Sequence, residues 1–210
     1  MIMTTTLIQS VTLPSRNTAD ILLDEGVIKD IADAGSIIAP EDAQVIDAKG
    51  LIALPGLVDP HTHLREPGRE DAETVETGTQ AAAAGGFVAV YAMANSMPVA
   101  DTAGVVESVR QLGEKAGWAE VRPIGAVTQG LAGERLAELG AMADSRANVR
   151  MFSDDGMCVF DPVLMRRALE YVRSFDGVVA QHAQEPRLTE GAQMNEGIVS
   201  SELGLTGWPA

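Results

Sequence analysis

The chain has 210 residues, 46% hydrophobic and 21% charged, a globular balance that excludes a disordered chain. Thirty acidic residues against fifteen basic ones leave a formal charge of −15, and so acidic a surface repels phosphate backbones and anionic membranes. The single cysteine, Cys158, excludes a disulfide framework, and no stretch is apolar for long enough to span a bilayer. The opening MIMTTTLIQS lacks the pattern of a signal peptide, so the sequence points to a soluble, cytoplasmic protein.

The first fifty residues carry short β-rich runs at 6–8, 20–23, 27–31 and 43–46, separated by turn signals such as Asp24-Glu25-Gly26 and Ala39-Pro40-Glu41. They read as a small antiparallel β unit, 1–50, too short to bury both faces alone. From Leu51 the rhythm changes to successive βα units. Strands are expected over 53–59, 87–93, 121–127, 149–152 and 177–181, and helices over 72–84, 103–116, 133–143 and 162–174. Asp161 followed by Pro162 marks a helix start, and Gly85-Gly86 a helix end. The β runs are branched and do not alternate, which suits an α/β protein with a parallel sheet covered on both faces. Spacing alone leaves open a doubly wound sheet or the first half of a (β/α)8 barrel over 51–210.

Chemistry concentrates at the expected strand ends. His61 and His63, in Asp59-Pro60-His61-Thr62-His63, follow a strand directly, and residues i and i+2 share a face. Two imidazoles side by side suit a divalent metal such as zinc, although two polar loop residues would read the same way. His182 closes the last strand, and Asp154 and Asp155 follow another. A Ser-Asp-Asp-Gly turn explains the aspartates taken alone. Four such groups at the C-terminal ends of three strands fit a metal centre better, and a carboxylate can bridge two metal ions. Adjacent residues point to opposite faces, so only one of the two aspartates can face the site. Arg65 suits a bidentate grip on a substrate carboxylate, against the alternative of a surface ion pair with Glu66 or Glu70. Asn95 either bonds an amide or carboxylate or makes a local turn. Cys158 has no basic neighbour in sequence to activate it, and Gly85-Gly86 has no phosphate-loop context.

These residues carry a resemblance. The run from Leu54 to Gly68, with Pro55-Gly56, Asp59-Pro60-His61-Thr62-His63 and Arg65-Glu66-Pro67-Gly68, resembles the signature of the cyclic amidohydrolases, and of the type I, bacterial-style dihydroorotase family in particular. Met93-Ala94-Asn95-Ser96-Met97-Pro98 is similar to that family's M-P-N-T-x-P, with Ala94 for Pro and Ser96 for Thr. Phe152-Ser153-Asp154-Asp155-Gly156 is similar to its F-[ST]-D-D-G, and His182 with Met194-Asn195-Glu196-Gly197 also fits.

The resemblance implies a zinc-dependent hydrolase interconverting N-carbamoyl-L-aspartate and L-dihydroorotate in pyrimidine biosynthesis. It implies a (β/α)8 barrel flanked by a β-sandwich, of which 1–50 would be part. His61 and His63 would hold one zinc, His182 a second, and an aspartate would bridge them. In that pattern the bridging aspartate precedes the third histidine by 27 positions, and 182 − 155 = 27 selects Asp155 over Asp154. Arg65 and Asn95 would bind the substrate carboxylate. Hydantoinases and allantoinases bridge with a carboxylated lysine instead, and Lys29, Lys49 and Lys115, the only lysines, all lie far from Asp155 in sequence. Family members are about double this length and supply a further histidine and a catalytic aspartate later, so the chain is expected to be the first half of such an enzyme and inactive alone. The rival reading is a non-catalytic scaffold partner of aspartate transcarbamoylase. Partners implied are the small-molecule substrate, a second copy, or that transcarbamoylase.

Overall fold

A computed structural model describes residues 5–209, and the chain divides into two compact units, 1–55 and 56–210. The first holds a four-stranded sheet of β1 (Thr6–Thr12), β2 (Thr18–Asp24), β3 (Val27–Asp33) and β4 (Gln44–Asp47), in the order β3-β2-β1-β4. Hairpins make β1–β2 and β2–β3 antiparallel, but β4 lies parallel to β1, so the expected antiparallel unit is a mixed sheet. The cause is the connection 34–43, which is long enough to carry the chain past β2 and β1 instead of turning back. Val11, Ile21 and Ala48 form its small core.

One buried carboxylate organises this unit. The register slips between Ile8 and Val11, and Ser10 takes up a left-handed φ of 58°. Asp20 accepts hydrogen bonds from the backbone N–H of Ser10 (2.9 Å) and of Gly35 beyond β3 (2.8 Å). The bond from Ser10 holds the Asp20 carboxyl below its usual range, with Gly35 and Ile37 adding to it against the opposing effect of burial.

The second unit is a run of βα steps. In order come β5 (Leu57–Thr62), α1 (Val75–Ala84), β6 (Phe87–Ala92), α2 (Ala103–Ala116), β7 (Glu120–Pro123), α3 (Leu139–Asp144), β8 (Met151–Phe152), α4 (Pro162–Val172) and β9 (Val178–Val179). Pairings β5–β6, β6–β7 and β8–β9 are all parallel. Gly125 joins the two groups: its N–H donates to Met151 O (3.1 Å) and its carbonyl accepts from Ser153 N (2.9 Å). The spatial order is therefore the sequence order, with no reversal. A doubly wound sheet requires a reversal, so the arrangement is the opening of a (β/α)8 barrel.

Local chemistry sets the boundaries. The Pro55-Gly56 pair delays the first strand to Leu57, and it runs on through Pro60 with a register slip, so His61 lies on the strand itself and not beyond it. Thr74 caps α1 through a reciprocal capping box with Thr77, which starts that helix at Val75 and not at 72. Asp161 accepts from Val163 N and Leu164 N ahead of Pro162, as expected. The helix expected over 133–143 shrinks to α3, because Gly130 and Gly133 adopt positive φ and 129–137 folds back on the start of its own loop after β7, with Ala137 N bonded to Val127 O. Gly113 of α2 packs against Val121 so closely that a Cβ would lie 2.5 Å from that side chain. Val90, Val109 and Val121 share one core cluster, and Val106, Leu139, Met142 and Phe152 a second. Beyond β9 follow short elements that the sequence did not announce: α5 (Pro186–Thr189), β10 (Met194–Asn195), α6 (Ile198–Leu203) and β11 (Gly207–Trp208), the two strands pairing in parallel.

Candidate metal centre

The C-terminal ends of β5, β8 and β9 bring four side chains together. His61 Nε2 lies 3.4 Å from one carboxylate oxygen of Asp155, and His63 Nε2 lies 3.4 Å from the other. His182 Nδ1 lies 3.6 Å from the oxygen that faces His61. The two imidazoles of β5 stand edge to face, with ring centroids 5.2 Å apart.

These separations are longer than good N–H···O bonds, which fall at about 2.7–3.2 Å. They match atoms that share an ion: ligands about 2.1 Å from a tetrahedral zinc lie about 3.4 Å from one another. A donor set of imidazoles and a carboxylate suits a divalent metal ion. His61, His63 and Asp155 offer ligand atoms all within 4.8 Å of one another. His182 approaches the same carboxylate, at the oxygen that also faces His61.

The imidazole of His63 is oriented from behind. Its Nδ1 lies 3.0 Å from Asn95 Oδ1, in the loop after β6. With that oxygen accepting, the ring proton sits on Nδ1 and Nε2 keeps a lone pair toward Asp155. The family resemblance implies a substrate-carboxylate contact for Asn95; in the structure its side-chain oxygen meets His63.

Arg65 follows in a left-handed conformation, φ 60°, with its side chain exposed. Neither sequence neighbour pairs with it. Glu66 Oε2 accepts from Val75 N (2.7 Å) at the start of α1, and Glu70 Oε1 accepts from Gly68 N (2.8 Å). Among the described residues Arg65 has no ion pair. Arg65 and Asn95 line one small hollow, with Leu64, Met93 and Ser96. The loops that carry them are docked by Met97 N on Pro67 O (2.9 Å) and by Gly68. At Gly68, φ is 108°, and a Cβ would meet Met97 O at 2.6 Å.

Asp154 turns away from the histidines and is buried, 1% exposed. One oxygen accepts from Val127 N (2.7 Å) and Thr128 N (3.0 Å), and the other from the Thr128 hydroxyl. Burial pushes its carboxyl above the usual range, opposed by the bonds from Thr128 and Val127. A Ser-Asp-Asp run signals that one carboxylate is internal; nothing in sequence signals that its partner is Thr128. A cavity lined by Gly133, Met157, Cys158 and His182 opens beside the centre. A hollow lined by Val88, Trp118, Arg122 and Arg150 lies instead at the N-terminal ends of the strands, the end that carries stability and not chemistry in such barrels.

The fold and site thus define a class: a (β/α) barrel segment with a His-x-His, aspartate and histidine cluster at its C-terminal strand ends. Residues 50–210 match the model of the dihydro-orotase-like family. The chain is 72% identical over 191 residues to a dihydroorotase of Leifsonia xyli subsp. xyli, covering 91% of this chain and 43% of that protein. It is 62% identical over 208 residues to a dihydroorotase of Streptomyces coelicolor, covering 99% and 48%. The backbone superposes on the L-hydantoinase of Arthrobacter aurescens with a TM-score of 0.73 at 18% identity, covering 90% of this chain and 42% of that one, a likeness of fold alone. The chain belongs to the dihydro-orotase-like family and spans less than half the length of these relatives.

Proposed function

We propose that the protein carrying this chain is a zinc-dependent cyclic amide hydrolase that interconverts N-carbamoyl-L-aspartate and L-dihydroorotate in pyrimidine biosynthesis. The observation that carries the reading is the approach of His61 Nε2 and His63 Nε2 to the two oxygens of Asp155, with His182 Nδ1 beside the oxygen that faces His61. The name of the relatives at 62–72% identity supports the substrate.

In this reading His61, His63, Asp155 and His182 would hold the zinc, with the Asp155 carboxylate shared among the histidines. Zinc bound there supplies Lewis acidity toward an amide carbonyl. The chain's own residues do the rest of what this half can do. Asn95 fixes the tautomer of His63 through Nδ1, and its amide nitrogen is left for a substrate carboxylate. Arg65, whose acidic neighbours are occupied elsewhere, supplies the charge that grips that carboxylate and orients the ring amide. The general acid/base, an aspartate by family pattern, comes from the part of the protein that lies outside this chain.

The scaffold reading is less well supported, because a degenerate partner would be free to lose ligands and all four are in place. Residence in the cytoplasm, and assembly with a second copy or with aspartate transcarbamoylase, belong to the same reading. No helix among the described residues is long and apolar enough to cross a membrane. Metal analysis of the full-length protein, together with dihydroorotate hydrolysis before and after chelation, tests it. Bound zinc, loss of turnover on chelation and recovery on adding zinc are expected. A full-length protein without metal or turnover would establish the scaffold.

A further inference from the structure

We infer that Asp154 is a positioning residue for the metal centre, acting as a hydrogen-bond acceptor that ties the loop after β7 to the ligand-bearing loop after β8. The inference rests on the functional reading above only for what the centre does, not for the tie itself. Asp154 is the residue before Asp155, so its carboxylate fixes the peptide from which the shared ligand projects. Its partners are all on the neighbouring loop: Val127 N at 2.7 Å, Thr128 N at 3.0 Å and the Thr128 hydroxyl. The tie extends further, because Thr128 Oγ1 accepts from Gly133 N at 2.9 Å. Gly133 and His182 line the same cavity, so one buried carboxylate organises both the carboxylate ligand and the wall that faces the third histidine.

From sequence, Asp154 has no part in metal binding; its bonds assign it an indirect one. Both backbone donors converge on one oxygen, and the Thr128 hydroxyl can rotate to accept from an amide. Asparagine therefore reproduces the tie, and alanine leaves three buried donors unmet.

The test uses the full-length protein with Asp154→Ala, Asp154→Asn and Thr128→Val. Zinc affinity is read by equilibrium dialysis, site geometry by the visible spectrum of the cobalt(II)-substituted protein, and folding by thermal melts. Asp154→Ala is expected to bind zinc about tenfold more weakly, the lower end of what outer partners of metal ligands contribute. Its cobalt spectrum should shift, and kcat should fall more than KM rises. Asp154→Asn should stay within about twofold of the parent in zinc affinity, since the acceptor is kept. Thr128→Val, which keeps both backbone bonds, should fall between them and decides the matter if the alanine variant does not fold. Parent-like zinc affinity and cobalt spectrum in Asp154→Ala, or in Thr128→Val where that variant stands in, would overturn the inference, as would an asparagine variant as impaired as alanine. Zinc affinity decides this whether or not the parent hydrolyses dihydroorotate, so the parent's turnover judges the functional reading separately.

Discussion

Arg65 and Asp155 differ in what their loss should do. Arg65→Met in the full-length protein should keep its zinc and lose turnover. Truncating one side of a charge-assisted bidentate pair costs about 2–5 kcal/mol, roughly thirtyfold or more in kcat/KM. Near-normal kinetics would return Arg65 to a surface role. Asp155→Ala should instead lose both metal and activity, which elemental analysis of the purified variant reads directly, because both of its oxygens face histidines. Much at this scale is legible in the sequence. The H-x-H spacing places two imidazoles together, while the choice of Asp155 over Asp154 comes from the family resemblance, whose pattern sets the interval to His182. The role of Asp154 is not legible, because its partners lie 26 and 27 residues away on another loop. Nor is the link from Asn95 to His63, which depends on how two loops dock.

Loops and strands carry the next two expectations. Gly68 holds the loop after β5 against the loop after β6 at φ 108°, with the backbone of Met97 in the way of any Cβ. Gly68→Ala should cost at least about 1–2 kcal/mol from its left-handed φ alone. Because it parts Arg65 from Asn95 and leaves the histidines on β5, KM should rise while zinc content holds. In the N-terminal sheet, Asp20 has its carboxyl depressed by the bond from Ser10. A depressed carboxyl stabilises the fold above its unfolded pKa, about 3.9, and that contribution is lost as pH falls through the lower folded value. Asp20→Asn should therefore unfold more readily at neutral pH, and the difference from the parent should shrink in acid. Melts at pH 7 and at about pH 3 measure this. Helix α2 has the limits that its periodicity predicts, because its core face and its closing Gly117 are both local signals. The helix expected over 133–143 fails because apolar spacing there competes with two glycines and with pairing back onto Val127. The parallel placement of β4 is likewise a choice between two open edges, which the runs themselves do not make.

At the scale of the molecule, β5 pairs only with β6 and β9 only with β8 among the described residues. Leu57, Val58, Val88, Val178 and Ile198 stand exposed in the barrel segment. Residues 1–210 expressed alone should consequently associate or aggregate, and should not hydrolyse dihydroorotate. Size-exclusion chromatography with excess zinc and a turnover assay check both; a monodisperse, active monomer would contradict them. Barrel and doubly wound sheet are indistinguishable in the rhythm of βα steps, because they differ only in which earlier strand each new one joins. The bridge at Gly125 settles it, where a Cβ would lie 2.9 Å from the Phe152 ring.

That strand order also bears on how the protein is made. Each strand from β6 to β9 joins the one synthesised just before it, so these pairings can form in the order of synthesis. His61, His63, Asp155 and His182 all fall within residues 61–182. In the proposed reading, a metal ion would therefore engage the nascent chain while translation continues. By binding the ordered form preferentially, it would hold the half-built barrel together until the strands still to come cover its edges.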